Sequence, residues 1–287
     1  RGNEVVASRS NEPPAAPEPL AAPVVDSHCH LDMCAADGGP TVDEALAAAA
    51  AVGVPKVIQV GCDVQGSRWA AKVAAEHDDI WAAVALHPNE APKIHEAGGL
   101  TLLEAAWREI SELAELPQVR AIGETGMDFF RTELPGRAIQ EESFRFHIGL
   151  AKRLGKTLVV HDRDSHDDVL RILDDEGHPE TVVLHCFSGD ADFARAASER
   201  GWYCSFSGVL TFKNADDLRA AAAIVPAERL LVETDAPFLT PAPHRGKANA
   251  PYLIPLTVRQ LAEVRGIKER ELCNVLFANT ERAFGPL

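Results

Sequence analysis

At 287 residues, with 46% hydrophobic and 25% charged residues, the chain has the composition of an ordinary soluble globular protein and room for one large domain or two ordinary ones. No window approaches the ~18 uninterrupted apolar residues of a membrane span, which excludes an integral membrane protein. Lys and Arg number 28 against 43 Asp and Glu, a net charge of −15 that repels phosphate backbones at long range and weighs against tight duplex binding.

Residues 1–23 are rich in Pro, Ala, Glu and Ser and show no hydrophobic period. They lack the apolar stretch of a secretory signal and read as a flexible extension, removable at no cost in stability. From residue 24 to 287 the chain alternates between short β-rich runs and longer Ala-rich amphipathic stretches. The predicted strands are Val24–Ser27, Lys56–Gly61, Trp81–Leu86, Val119–Glu124, Thr157–His161, Thr181–His185, Trp202–Ser205 and Leu230–Glu233. Helical patterns occupy 42–52, 67–77, 101–115, 137–154, 165–176, 190–200, 214–223 and 252–265, with a further one at 269–284. Asp190 and Gly201 bracket one of these as caps, and Gly155 ends another. Buried-type strands, each followed by a helix, predict a single-domain (β/α)8 barrel over 24–287. A doubly wound sheet is the alternative, but Ser27-His28-Cys29-His30 stands where its Gly-rich phosphate loop would be.

Six cysteines, Cys29, Cys34, Cys62, Cys186, Cys204 and Cys273, form no C-x-x-C pair and sit mostly in apolar runs. A reducing cytoplasm is the simplest setting, and a monomer is expected.

In a barrel the carboxyl ends of the strands converge on one pocket. His28 and His30 alternate with Cys29 and so point together, as a metal-binding pair or as packed histidines. Glu124 follows an apolar run and is flanked by Gly123 and Gly126, a costly place for a carboxylate without a cation. His161, His185 and Asp235 end further strands in the same way. These six residues exceed the needs of one catalytic zinc and suit a two-metal site bridged by one carboxylate, with Glu124 placed between the histidine groups. The donor set accepts Zn2+, Mn2+ or Mg2+.

These segments carry a resemblance. Asp26-Ser27-His28-Cys29-His30-Leu31-Asp32, Gly123-Glu124-Thr125-Gly126-Met127-Asp128, His161-Asp162-Arg163-Asp164, His185-Cys186-Phe187-Ser188-Gly189, Glu233-Thr234-Asp235-Ala236-Pro237-Phe238-Leu239 and Arg245-Gly246-Lys247-Ala248-Asn249 occur in this order. Together they resemble the TatD family of metal-dependent deoxyribonucleases, within the amidohydrolase-type barrels. The family's usual Leu is Met127 here, its Ala is Ser165, and a histidine it often carries is Asn89. The resemblance implies that His28 and His30 hold one ion and His161 and His185 the other, with Glu124 between them. Asp235 then binds the first ion and orients the attacking water or takes its proton. Glu233 is read as a partner that fixes a ligand's orientation.

The resemblance further implies phosphodiester hydrolysis in DNA, from 3′ ends of single strands, with RNA as a further substrate. Deacylation of aminoacyl-tRNA esters and small-molecule amidohydrolase chemistry are the rival activities. The latter is disfavoured because Glu124 stands where many such enzymes carry a carboxylated lysine. A non-catalytic scaffold is disfavoured because no ligand is missing. Substrate contacts are read at His87, Arg163, Arg245 and Lys247, each against a plain alternative: a core histidine, a salt bridge to Asp164 or Asp128, or a solvated loop. Phe129 and Phe187 are read as core in preference to base-stacking residues.

Overall fold

The structure, a computed structural model, describes residues 12–286. Among the described residues eight strands form one sheet: β1 (Val25–Cys29), β2 (Lys56–Val60), β3 (Ile80–Val84), β4 (Val119–Asp128), β5 (Thr157–Arg163), β6 (Val182–Leu184), β7 (Tyr203–Phe206) and β8 (Leu230–Val232). Every neighbouring pair is parallel and the spatial order is the chain order. The ring closes where Asp235 N–H donates to His28 O at 2.8 Å and His30 N–H to Ala236 O at 2.9 Å. This is a (β/α)8 barrel, and the open-sheet alternative falls away.

The strands read as continuous apolar runs because both of their faces are covered. Ile58, Val60, Ala83, Ala121, Val159, Val183 and Leu231 fill the barrel interior. Alternate residues such as Val57, Ala82, Leu158, Val182 and Leu230 pack outward into the larger core beneath the helices.

The helices are α1 (Leu31–Ala35), α2 (Val42–Ala51), α3 (Val64–Glu76), α4 (Glu90–Ala114), α5 (Leu134–Leu154), α6 (His166–Glu176), α7 (Ala191–Glu199), α8 (Asp216–Ile224), α9 (Ile254–Arg265) and α10 (Glu269–Phe284). Their starts follow local chemistry. Thr41 and Glu44 form a capping box on α2, Asp63 caps α3 through Gly66 N–H, and Asp190 caps α7 through Phe193 N–H. Helix α4 begins eleven residues before the predicted 101 and breaks at Gly98 and Gly99, the latter at φ 69°. That break is why the sequence pattern becomes regular only after it. Among the described residues no helix is long and apolar enough to cross a membrane.

The expectation of a free extension needs correction for its second half. Residues 14–22 lie against the barrel: Leu20 is buried, its N–H donates to Val52 O at 2.9 Å, and Ala21 N–H donates to Glu269 Oε2 at 2.9 Å. The Tyr252 hydroxyl donates to Pro14 O at 2.5 Å and the Arg259 guanidinium to Glu18 O at 2.8 Å. One buried leucine and a few backbone hydrogen bonds suffice to dock a proline-rich segment that has no periodic face. The expectation for residues 1–11 lies outside the described residues.

Candidate active site

The carboxyl ends of the strands bring the predicted residues together. His28 is on β1 and His30 just beyond it, Glu124 on β4, His161 on β5, His185 one residue past β6, and Asp235 three past β8. Strand β4 runs four residues further than predicted, and Gly126 makes this passage possible. Its φ is 146°, and a Cβ there would fall 2.0 Å from His161 O. Asp235 is left-handed at φ 55°, an unfavourable conformation for a non-glycine residue that turns its carboxylate toward the histidines.

Glu124 lies at the centre, buried, with its two oxygens serving different groups. Oε2 is 3.2 Å from His28 Nε2 and 3.7 Å from His30 Nε2. Oε1 is 2.9 Å from both His161 Nδ1 and His185 Nε2, and 3.5 Å from His87 Nε2. Asp235 Oδ1 lies 3.4 Å from His28 Nε2 and 3.2 Å from His30 Nε2.

The tautomers follow from the backs of the rings. His30 Nδ1 donates to Val60 O at 2.9 Å, so Nε2 is the nitrogen that faces the carboxylates, and it bears a lone pair once the ring is neutral. His185 Nδ1 donates to Glu233 Oε2 at 2.9 Å, which aims its Nε2 in the same way. His87 is the reverse. Its Nδ1 accepts from Asn89 N–H at 3.0 Å, so in the neutral ring the proton sits on Nε2, facing the cavity. His87 is therefore a hydrogen-bond donor to the site and stands apart from the ligand set.

Charge in the centre is self-consistent. Burial raises the Glu124 carboxyl, but the charges of His185 and His28 and the hydrogen bond from His161 outweigh it and hold it well below the usual range. Burial likewise opposes ionisation of Asp235, and the hydrogen bond from His30 with the charges of His185 and His28 brings its pKa down. Burial lowers His185, yet Glu124 and Glu233 push it well above its ordinary value. His87, with burial dominant, is lowered and stays neutral.

Both ring nitrogens of His28 are buried without a hydrogen-bond partner. A buried imidazole that approaches two carboxylates within 3.4 Å but lacks hydrogen-bond geometry to either has the arrangement of a ligand shell. His28, His30 and Glu124 form one group able to hold a cation and His28, His185, Glu233 and Asp235 another; His87, Glu124 and His161 also lie close together, but there His87 presents a proton and only Glu124 and His161 remain as donors to a metal. The residues fit a metal. Glu233 is already engaged by His185 Nδ1 and by Cys186 N–H at 2.8 Å, and so acts behind the ligands.

Sequence reading missed Asp128. Its Oδ2 lies 2.9 Å from His161 Nε2 and 3.1 Å from Asn89 Nδ2. Asp128 stands four residues after Glu124, on the same strand face, and that spacing was the available signal. Asn89, where the family often has histidine, thus orients Asp128.

The other expected substrate residues divide. Arg163 lines the cavity and, among the described residues, makes no salt bridge with Asp164 or Asp128; its guanidinium lies over the Phe130 ring. Arg245 stacks over Phe212, 3.7 Å from its ring centroid, and neither it nor Lys247 lines the cavity. Phe187 is buried against Phe193 and Phe129 packs on the core, as read.

A (β/α)8 barrel with imidazoles and carboxylates converging at the carboxyl ends of its strands belongs to the class of metal-dependent hydrolase barrels. Residues 25–285 match the model of the family described as TatD related DNase. An uncharacterized metal-dependent hydrolase TatD of Mycobacterium tuberculosis is 45% identical over 269 residues, covering 91% of this chain and 98% of its own. The uncharacterized metal-dependent hydrolase YcfH of Escherichia coli K12 is 37% identical over 263 residues, covering 91% and 95%. The crystal structure of YjjV, a TatD homolog from Escherichia coli K12, superposes with a TM-score of 0.82 at 28% identity, covering 92% of this chain and 98% of that one. The chain belongs to the TatD family and is a metal-dependent hydrolase.

Proposed function

We propose that the protein hydrolyses phosphodiester bonds at the ends of single-stranded DNA, acting as a monomer in the cytoplasm and removing nucleotides stepwise from 3′ ends. The observation that carries this reading is the division of Glu124, with one oxygen toward His28 and His30 and the other toward His161 and His185. A bridging carboxylate between two imidazole groups suits two divalent ions, of Mg2+, Mn2+ or Zn2+, and paired-metal sites recur in nucleases and phosphatases. Such ions supply Lewis acidity, which acidifies a water and offsets charge on the phosphate.

The chain's own groups do the rest. Asp235 is ionised, lines the cavity and takes a proton from the attacking water as its oxygen bonds to phosphorus. The bond from phosphorus to the 3′ oxygen breaks, and that oxygen takes a proton from solvent. His87 Nε2–H donates to a phosphate oxygen without changing charge. Glu233 and Asp128 hold His185 and His161 in place. The unpaired state of all six cysteines supports a reducing compartment.

The deciding experiment presents purified protein, with each of the three metals in turn, with end-labelled single-stranded DNA, RNA and an aminoacyl-tRNA side by side. DNA shortening faster than either of the others is expected. Preferential release of the amino acid would replace this reading with ester deacylation.

A further inference from the structure

Two guanidinium groups stand on one aromatic ring at the mouth of the cavity that holds the histidines. Phe130 is 58% exposed, and a ring so placed has no core to fill. The guanidinium carbon of Arg163 lies 3.8 Å from its centroid and that of Arg131 5.4 Å. Both arginines line the cavity of about 620 Å³ that also exposes His161, His185 and Asp235. Several of the other arginines pair with carboxylates, as at Arg145, Arg171 and Arg200, and others stack on a ring or bond backbone oxygens away from the cavity, as Arg245 does over Phe212 and Arg265 at Val225 O. Among the described residues Arg131 and Arg163 make no such pair; Asp128 Oδ1 accepts the backbone N–H groups of Phe130 and Arg131 and neither guanidinium.

Unpaired cations in a molecule of charge −15 carry a strong preference for an anion. Stacking on the ring limits the rotamers of both side chains, so less freedom is lost when an anion arrives. Arg163 lies two residues along β5 from His161, roughly 6.6 Å at strand spacing. That offset is on the scale of the step from one phosphate of a strand to the next. Phe130 is mostly exposed and lies against both guanidinium groups, and its role is to position the arginines.

Resting on the nuclease reading above, we propose that Phe130 holds Arg131 and Arg163 as a clamp for the phosphate adjacent to the scissile one. The preferred substrate then carries at least two consecutive phosphodiesters. The clamp reads charge and spacing on the backbone, leaving the base sequence unread.

The test uses the metal-loaded enzyme and a trinucleotide with two phosphodiesters, alongside one whose non-scissile linkage is a neutral methylphosphonate. In the wild type the methylphosphonate should raise KM about tenfold, the worth of a charge-assisted contact, with kcat little changed. In the double variant Arg131→Gln, Arg163→Gln the two trinucleotides should have equal KM. Phe130→Leu should lose most of the discrimination and Phe130→Tyr should restore it, a rescue that a purely structural role would not show. A wild type indifferent to the methylphosphonate, or a double variant that still discriminates tenfold, overturns the clamp. Retained discrimination in Phe130→Leu overturns the positioning role. Should the wild type cleave neither trinucleotide, the nuclease reading fails. Fluorescence anisotropy with labelled forms of the same pair then decides the clamp by the same comparison of affinities.

Discussion

Glu233 accepts the Nδ1–H of His185 at 2.9 Å, and the opposite nitrogen of that ring faces Glu124 Oε1 at the same 2.9 Å. The buried carboxylate therefore sets the tautomer of an imidazole whose working atom points into the centre. Glu233→Gln keeps the shape but removes the charge and offers an amide that can present its NH2 to Nδ1. Metal affinity should fall about 10–100-fold, as for other carboxylates behind histidine ligands, with little change in melting temperature. Competition with a chromophoric chelator measures it, and an unchanged affinity would separate Glu233 from metal binding.

Asp235→Asn should keep the fold and at least one ion while abolishing hydrolysis, because the amide coordinates weakly and accepts no proton. Metal content and turnover are measured on the same preparation. A variant retaining more than about a tenth of wild-type turnover, a barrier change under ~1.4 kcal/mol, would remove Asp235 from proton transfer.

Metal binding should release protons. Burial lowers His30, but its hydrogen bond to Asp235 and the charge of that carboxylate outweigh this and hold its pKa above the ordinary value, and His185 does the same beside Glu124 and Glu233. A ligating nitrogen must be bare, so an incoming ion expels these protons and affinity weakens as pH falls. Calorimetric titration with Zn2+ in buffers of different ionisation enthalpy should show a buffer-dependent heat near pH 7. A heat independent of buffer contradicts this protonation pattern.

His147 shows a pH dependence away from the centre. Burial lowers it to about 4; Nδ1 donates to Ser143 O at 2.6 Å and Nε2 accepts Leu86 N–H at 3.1 Å, tying α5 to the end of β3. The unfolded chain takes up this proton near pH 6.5 and the folded chain only near 4. Stability contributed by the neutral ring is thus present above the unfolded value and declines as pH falls through that window, by up to ~1.4 kcal/mol per unit. Denaturant unfolding of wild type and His147→Gln at pH 7 and pH 5 should show the smaller pH effect in the variant. Equal slopes would assign the acid sensitivity to other groups.

Deletion of residues 1–20 should lower the melting temperature by about 3–5 °C, because it exposes the site filled by Leu20, a burial of roughly 1.5–3 kcal/mol. An unchanged melting temperature would show that the docked segment contributes nothing.

The barrel was legible in the sequence because a parallel strand buried on both faces reads as an apolar run, and here most such runs end in a residue that can bind a cation. The alternation of His28, Cys29 and His30 was readable for the same reason: a strand has a period of two. What escaped depended on distance along the chain. Asp128 reaches His161 only because β4 continues past Gly126, and the predicted strand stopped at Glu124. Leu20 is a single apolar residue in a proline-rich stretch, and no pattern distinguishes it from an exposed one. Arg163 reaches the cavity because β5 runs two residues past its predicted end at His161, whereas Arg245 lies in a loop, which carries no periodicity, and stacks on Phe212.

The most direct test compares linear single-stranded DNA, blunt duplex and closed circular single-stranded DNA under one metal at equal nucleotide concentration. The net charge of −15 disfavours the long-range approach of a duplex, and the proposed function has a single strand enter by its end the cavity lined by His161, His185 and Asp235. Stepwise shortening of the linear strand, with circle and duplex spared, is the expected result. Cleavage of the closed circle as fast as the linear strand would contradict it, because a circle has no end to enter.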